Sequence, residues 1–192
     1  MTSTSFGIAK IALHQPEQVI ANHWYGESLP KKFVNHTGIE ERHISFRDEV
    51  TMAVECIDQM LTESAIKPGD CAGLIFVTPS FVPMHIANRH MDREHARQEQ
   101  PTRAAHQLVE RLGLSPRKIV GINGFCSGYA KACLHAKKKM LPGLDLKKSE
   151  YILLITSNRI SRITDFGCRQ SGALFGDFVT VSVLARTDSD LY

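Results

Sequence analysis

The sequence contains no apolar run near the roughly 20 residues that cross a bilayer, and its opening, MTSTSFGIAK, lacks the charged start and apolar stretch of a secretory signal. Its five cysteines (Cys56, Cys71, Cys126, Cys133 and Cys168) are odd in number and form no CxxC pair. That pattern excludes a zinc ribbon and a disulfide framework, and a reducing, cytoplasmic setting is expected. Charge of one sign is scarce: the net value is +3, carried by scattered groups such as Lys31-Lys32 and Lys137-Lys138-Lys139. With no basic arm and no aromatic-plus-basic groove pattern, nothing favours a nucleic acid or a membrane as partner. No internal repeat or low-complexity linker divides the chain. What remains is an ordinary globular composition, 43% hydrophobic and 22% charged over 192 residues, enough for one core.

The apolar pattern alternates between strands and helices. FGIAKIALHQP reads as a strand closed by a turn at Gln15-Pro16. Val50, Val54, Ile57 and Leu61 recur at helical spacing from near Asp48, and Pro68-Gly69-Asp70 ends that helix. GLIFVTPS and YILLITS are short, almost wholly apolar runs, as buried strands are. Between them Ala104, Leu108 and Leu112 mark a helix ending at Gly113, and KIVGI a strand. A further helix is expected over residues 127–141, stopped by Pro142-Gly143, then a last strand, VTVSVLA. Such alternation predicts a layered α/β fold containing parallel strand pairs.

One stretch carries chemistry. GINGFCSGYAKA brings Cys126 from a strand into a helix, at the positive end of the helix dipole, which favours thiolate over thiol. Gly124 and Gly128 keep bulk away, so an acyl group has room to approach the sulfur and a backbone N–H to face an oxyanion. The same small residues also suit close packing of a helix on a sheet, with Cys126 a small apolar filler. Elsewhere, His85, His90, Asp92 and His95 crowd one polar segment, but histidines five apart fall on different helix faces. No metal site is expected there. The lysine run at 137–139 reads as the wet face of a helix C-terminus.

Several segments recur together in one order: TGIEERHIS (37–45), DEVTMAVECIDQML (48–61), AGLIFVTPS (72–80), GFCSGYAKA (124–132) and GALFGD (172–177). In order and spacing they resemble the N-terminal half of β-ketoacyl-acyl-carrier-protein synthase III and its thiolase-superfamily relatives. The resemblance implies one thiolase-like half, residues 1–192, of a five-layered α-β-α-β-α architecture, usually homodimeric. It also implies that Cys126 is acylated from a CoA or carrier-protein (phosphopantetheine) thioester, with no tightly bound cofactor. Such synthases complete the site with a histidine and an asparagine from the C-terminal half, and these activate a malonyl thioester. None of the nine histidines here matches that histidine, so a fragment or a separately encoded second half is expected.

Departures from the family refine the expectation. GDFVTV stands where the family has Gly-Asp-Gly-Ala-Gly: Gly176 and Asp177 survive, while Phe178, Val179 and Thr180 favour a plain strand. Lys32 and His36 occupy the places of an aromatic residue and an arginine that hold the CoA nucleotide. A lysine meets a phosphate as a point charge but cannot stack on adenine, which leaves room for a carrier-protein donor. Arg162, in SNRISRITD, falls near a second phosphate-binding arginine of the family, and reads equally as a solvated loop arginine. The polar stretch 83–100 reads as an insertion, and Gln100 is the nearest match to a residue that crosses the dimer interface to close the acyl pocket. A glutamine there suits a polar acyl group. The expected activity is acyl transfer and decarboxylative condensation in fatty acid or polyketide biosynthesis. The alternatives are acyl transfer to an oxygen or nitrogen nucleophile in secondary metabolism, and a non-catalytic partner half.

Overall fold

A mixed five-stranded sheet organises the protein, seen here in a computed structural model that describes residues 5–79, 93–169 and 172–191. In chain order the elements are strands Phe6–His14 (β1) and Gln18–Ala21 (β2), helix Phe33–Thr37 (α1), strand Glu41–Ile44 (β3) and helix Glu49–Thr62 (α2). Strand Cys71–Thr78 (β4), helix Arg93–Arg111 (α3) and strand Lys118–Asn123 (β5) follow. Helices Gly128–His135 (α4) and Leu141–Leu144 (α5) then lead to strands Tyr151–Asn158 (β6) and Phe178–Arg186 (β7). The strand order is β1-β7-β6-β4-β5, and β2 pairs with β3 in a separate antiparallel ribbon.

The expected parallel pairs are present: β4 runs parallel to both β5 and β6. The sheet becomes mixed because β7 runs antiparallel to β6 and β1. Strand alternation then builds two cores. Leu74, Phe76, Leu153, Ile155, Val181 and Val183 face α2 and α3 on one side. Ile75, Val77, Ile152 and Leu154 face Ala132, Ala136, Met140 and Leu144 on the other. Every residue of β4 is buried, since it lies between β6 and β5 under helices on both faces, and so its sequence is an almost unbroken apolar run.

Three local outcomes differ from the sequence expectation. The α3 helix begins at Arg93, ahead of its apolar stripe, and Pro101 lies inside it. Thus residues 93–100 of the expected polar insertion are helical, while 83–92, with His85, His90 and Asp92, lie outside the described residues. Gly121 permits that helix to lie on β5, because a Cβ there would come within 2.1 Å of the Thr102 backbone nitrogen. The helix after Cys126 is not stopped by Pro142. It widens into a π turn over Ala136–Met140, where Leu141 N–H donates to the Ala136 carbonyl, and then resumes as α5. Pro142 falls in the first turn of the resumed helix, where its missing N–H costs least. Lys137, Lys138 and Lys139 are exposed as expected, on the π turn and not at a helix end.

At the other end of β5 from Cys126, Arg117 ties the start of β5 across β4 to Glu150, at the start of β6. Its two terminal nitrogens donate to Glu150 at 2.6 and 3.0 Å, and Lys147 N–H adds a third bond at 2.9 Å. The Arg117 hydrogen bond, outweighing burial, holds the Glu150 carboxyl down at about 2. A depressed carboxyl contributes stability above its unfolded value of about 4.3 and loses it as pH falls toward the folded one. Urea midpoints are therefore expected to drop between about pH 5 and about pH 2.5 more in the wild type than in Glu150→Gln. Equal drops would remove Glu150 as a source of acid sensitivity.

Candidate functional site

The strand β5 ends at Asn123, opposite Thr78 of β4, and the chain then turns through Gly124, Phe125, Cys126 and Ser127 into α4. Backbone bonds shape this turn: Gly124 N–H donates to the Thr78 carbonyl (3.4 Å) and Gly128 N–H to the Phe125 carbonyl (2.7 Å). The glycines are needed for contact. A Cβ on Gly124 would lie 2.5 Å from the Gly128 Cα, and one on Gly128 would lie 2.7 Å from a Val77 methyl. Phe125, Cys126 and Ser127 are all exposed, so Cys126 is not a packed apolar filler. Ser127 stands at the N-cap of α4 without a side-chain capping bond, and Cys126 just precedes it.

The other thiols differ sharply. Burial pushes Cys56 up to about 11 and Cys71 up to about 12, and Cys133 and Cys168 are half-buried. Limited iodoacetamide treatment is therefore expected to label Cys126 first and Cys56 and Cys71 last, as read by peptide mass spectrometry. An adduct forming first on Cys56 or Cys133 would overturn this ranking.

The remaining sequence-predicted residues fall into two groups. Lys32 caps α1, and His36, one turn later, bonds through Nδ1 to the Lys32 carbonyl at 2.8 Å. Both are exposed. Gln100 and Arg162 line a second place, an open cavity of about 420 Å³ that also touches Asp48, Glu49, Thr78, Arg103 and Gln107. There an Arg162 terminal nitrogen meets the Glu49 carboxylate at 2.8 Å, so Arg162 is neither a freely solvated arginine nor an uncommitted phosphate ligand. Asp48 is also committed: its carboxylate accepts from Thr51 N–H (2.8 Å) and hydroxyl (3.0 Å). Burial opposes its charge, but the hydrogen bonds from Thr51 and Val50, with Arg111, outweigh burial and hold the carboxyl below its usual range. Cys126 lines neither place, although its turn is bonded to Thr78.

Two structural roles escaped the sequence reading, which notes Asp177 only as part of a Gly-Asp motif. Thr78 is 3% exposed, and its hydroxyl has no hydrogen-bond partner among the described residues. Strand parity was the available signal, since Thr78 follows Leu74 and Phe76 on the α2/α3 face. Asp177 is the other: buried at the start of β7, its carboxylate accepts from Ser45 N–H (2.8 Å), Ser161 N–H (2.8 Å) and Ser161 Oγ (2.5 Å). Its own N–H donates to the His43 carbonyl at 2.7 Å, and a Cβ on Gly176 would press within 2.8 Å of the same oxygen. The Gly-Asp pair thus fastens β3, the turn carrying Arg162, and β7 together. The residues after it, Phe178 to Arg186, form a regular strand inside the sheet. Among the described residues no His, Cys, Asp and Glu cluster able to hold a metal is found.

Comparison with known proteins agrees with this arrangement. The sequence model of the family described as 3-oxoacyl-[acyl-carrier-protein (ACP)] synthase III matches residues 120–191. The β-ketoacyl-[acyl-carrier-protein] synthase III of Staphylococcus aureus (strain JH1) is 27% identical over 177 residues, covering 89% of this chain and 50% of that protein. A crystal structure of 3-oxoacyl-(acyl-carrier-protein) synthase III superposes with a TM-score of 0.72 at 25% identity, over 94% of this chain and 50% of the other. The corresponding enzyme of Aquifex aeolicus VF5 gives 0.71 at 20% identity, over 96% and 55%. The chain therefore has the thiolase-like fold of these synthases and resembles their N-terminal half. It spans about half the length of the curated relatives it matches.

Proposed function

We propose that Cys126 is the acyl acceptor of a synthase III-type condensing enzyme whose site is completed by a C-terminal half. The supporting observation is the exposed thiol at a strand-to-helix turn kept clear by Gly124 and Gly128. The Cys126 thiolate attacks the carbonyl carbon of an acyl thioester, its own backbone N–H helps to hold the oxyanion, and the CoA or carrier-protein thiol leaves. A malonyl thioester then loses carbon dioxide. The resulting carbanion attacks the acyl-cysteine carbonyl and expels the Cys126 thiolate, leaving a β-ketoacyl thioester. The histidine and asparagine of the second half stabilise that carbanion. Lys32, at the start of α1, and His36 within it meet phosphates of the donor, and Arg162 contributes at the separate Gln100 cavity only to the extent that its pairing with Glu49 leaves it charge to offer. Gln100, beside Thr78 and Gln107, favours a polar acyl end.

The need for a partner has its own physical basis. On the α4 face of the sheet, Ile8, Ile11 and Leu13 of β1 and Phe178 of β7 are 43–69% exposed. Ile8 also lines an open groove of about 660 Å³ walled by Phe6, Cys133, Ala136, Leu141 and Pro142. An apolar face of this kind marks an interaction surface, here for the C-terminal half or a second copy of the chain. No helix among the described residues is long and apolar enough to cross a membrane, and the reading assigns the protein to the cytoplasm.

The polar cavity beside Gln100 and Arg162 also suits a second reading, transfer of the acyl group to an oxygen or nitrogen nucleophile. Product analysis of the intact protein with an acyl thioester, with and without malonyl thioester, separates the two. Carbon dioxide release coupled to a β-ketoacyl product supports condensation. An ester or amide formed without malonyl thioester supports the alternative, and no acyl-enzyme under either condition leaves the non-catalytic partner half.

A further inference from the structure

We infer that Tyr129 is a positioning residue for Cys126, acting through a hydrogen bond to Ser182 that seats the first turn of α4 on the sheet. The inference rests on the reading of Cys126 as acyl acceptor. The Tyr129 hydroxyl lies 3.0 Å from Ser182 Oγ. Ser182 is fully buried at the centre of β7, a strand flanked by β1 and β6 and therefore fixed by ladders on both sides. The ring of Tyr129 packs into the core formed by Ala132, Ala136 and the α4-facing strand residues.

Besides this bond, backbone bonds hold the turn, from Gly124 N–H to the Thr78 carbonyl and from Gly128 N–H to the Phe125 carbonyl. Phe125, Cys126, Ser127 and Ala130 are exposed, and the buried residues of α4 are Gly128 and Ala132, which have almost no side chain to anchor. Ser127 supplies no side-chain cap. Tyr129 is therefore the side chain through which the rigidity of β7 fixes the amino end of α4, and with it the backbone around Cys126. Because the thiol is already exposed, freeing this turn gains no access for a reagent. It only lets the backbone around the sulfur drift from the arrangement in which the thiol and an oxyanion would meet the amino end of α4.

The test is competitive alkylation of the intact protein with iodoacetamide, reading Cys126 against Cys133. Cys133 lies one turn after Tyr129 on the same helix and half-buried, so it reports general loosening of α4. In Tyr129→Phe the Cys126/Cys133 rate ratio is expected to fall about fivefold, the factor equivalent to a net hydrogen bond of about 1 kcal/mol. Ser182→Ala should give the same fall through a slower Cys126, the double variant no further fall, and Ser182→Thr, which keeps the hydroxyl, the wild-type ratio. An unchanged ratio in either single variant, or multiplied losses in the double variant, overturns the inference. So does a fall produced only by faster Cys133, which marks a merely structural role. Acylation by a thioester is followed in parallel. If wild-type Cys126 accepts no acyl group while the ratios behave as expected, the acyl-acceptor reading fails and the positioning role stands.

Discussion

Residues 1–192 alone, given an acyl thioester, are expected to gain one acyl group slowly on Cys126 and to form no condensation product when malonyl thioester is added. Acylation needs a thiolate and an oxyanion site, and in the proposed reading the exposed Cys126 turn supplies the sulfur and one N–H. Loss of a single oxyanion donor typically costs about 10²–10³ in rate, so acylation without the second donor is slow but measurable by intact mass. Condensation is a different demand. It needs groups that stabilise the malonyl-derived carbanion, and the family resemblance assigns these to the C-terminal half. Adding that half, on the same or another polypeptide, should restore turnover, and Cys126→Ala should abolish both acylation and turnover. Substantial β-ketoacyl formation by residues 1–192 unaided would mean that the acid–base groups lie within this chain, and the split-site reading would be wrong.

How far such a site can be read in advance depends on which forces are local. The stripe Val50, Val54, Ile57 and Leu61 gives α2 because helical periodicity is a property of neighbours in sequence. The apolar runs of β4 and β6 give buried strands for the same reason, and the exposed turn at Cys126 is legible because its glycines lie beside it. Long-range contacts decided the rest. The helix α3, with Pro101 inside it, can lie on β5 because Gly121, twenty residues on, offers no Cβ to the helix backbone. Pro142 does not stop its helix because a π turn upstream absorbs the misfit. The β2–β3 ribbon is too short and too polar to announce itself, and it is secured by distant Gly176 and Asp177. The cavity that unites Gln100 with Arg162 exists only once α2, α3 and the end of β4 converge, so no spacing in the sequence encodes it.

That same long-range fastening sets the second large effect. Asp177→Ala is expected to destabilise the protein by on the order of 3–5 kcal/mol, a large fraction of the 5–15 kcal/mol that holds a typical domain together. The side chain is 2% exposed, and its two oxygens receive Ser45 N–H, Ser161 N–H and the Ser161 hydroxyl. Hydrogen bonds to a charged group contribute about 1.5–3 kcal/mol each, and truncation also strands two backbone donors away from water. Removing it unfastens β3 on one side and the Ile160–Arg162 turn on the other, so the Arg162–Glu49 pair should loosen as well. Asp177→Asn keeps the shape and one carbonyl acceptor but turns an amide NH₂ toward a donor, and should cost less than alanine while remaining clearly destabilising. Equilibrium urea unfolding of the three proteins measures the order. A loss below about 1 kcal/mol in Asp177→Ala, the scale of a single ordinary hydrogen bond, would show that β3 and the Arg162 turn hold their places without this carboxylate.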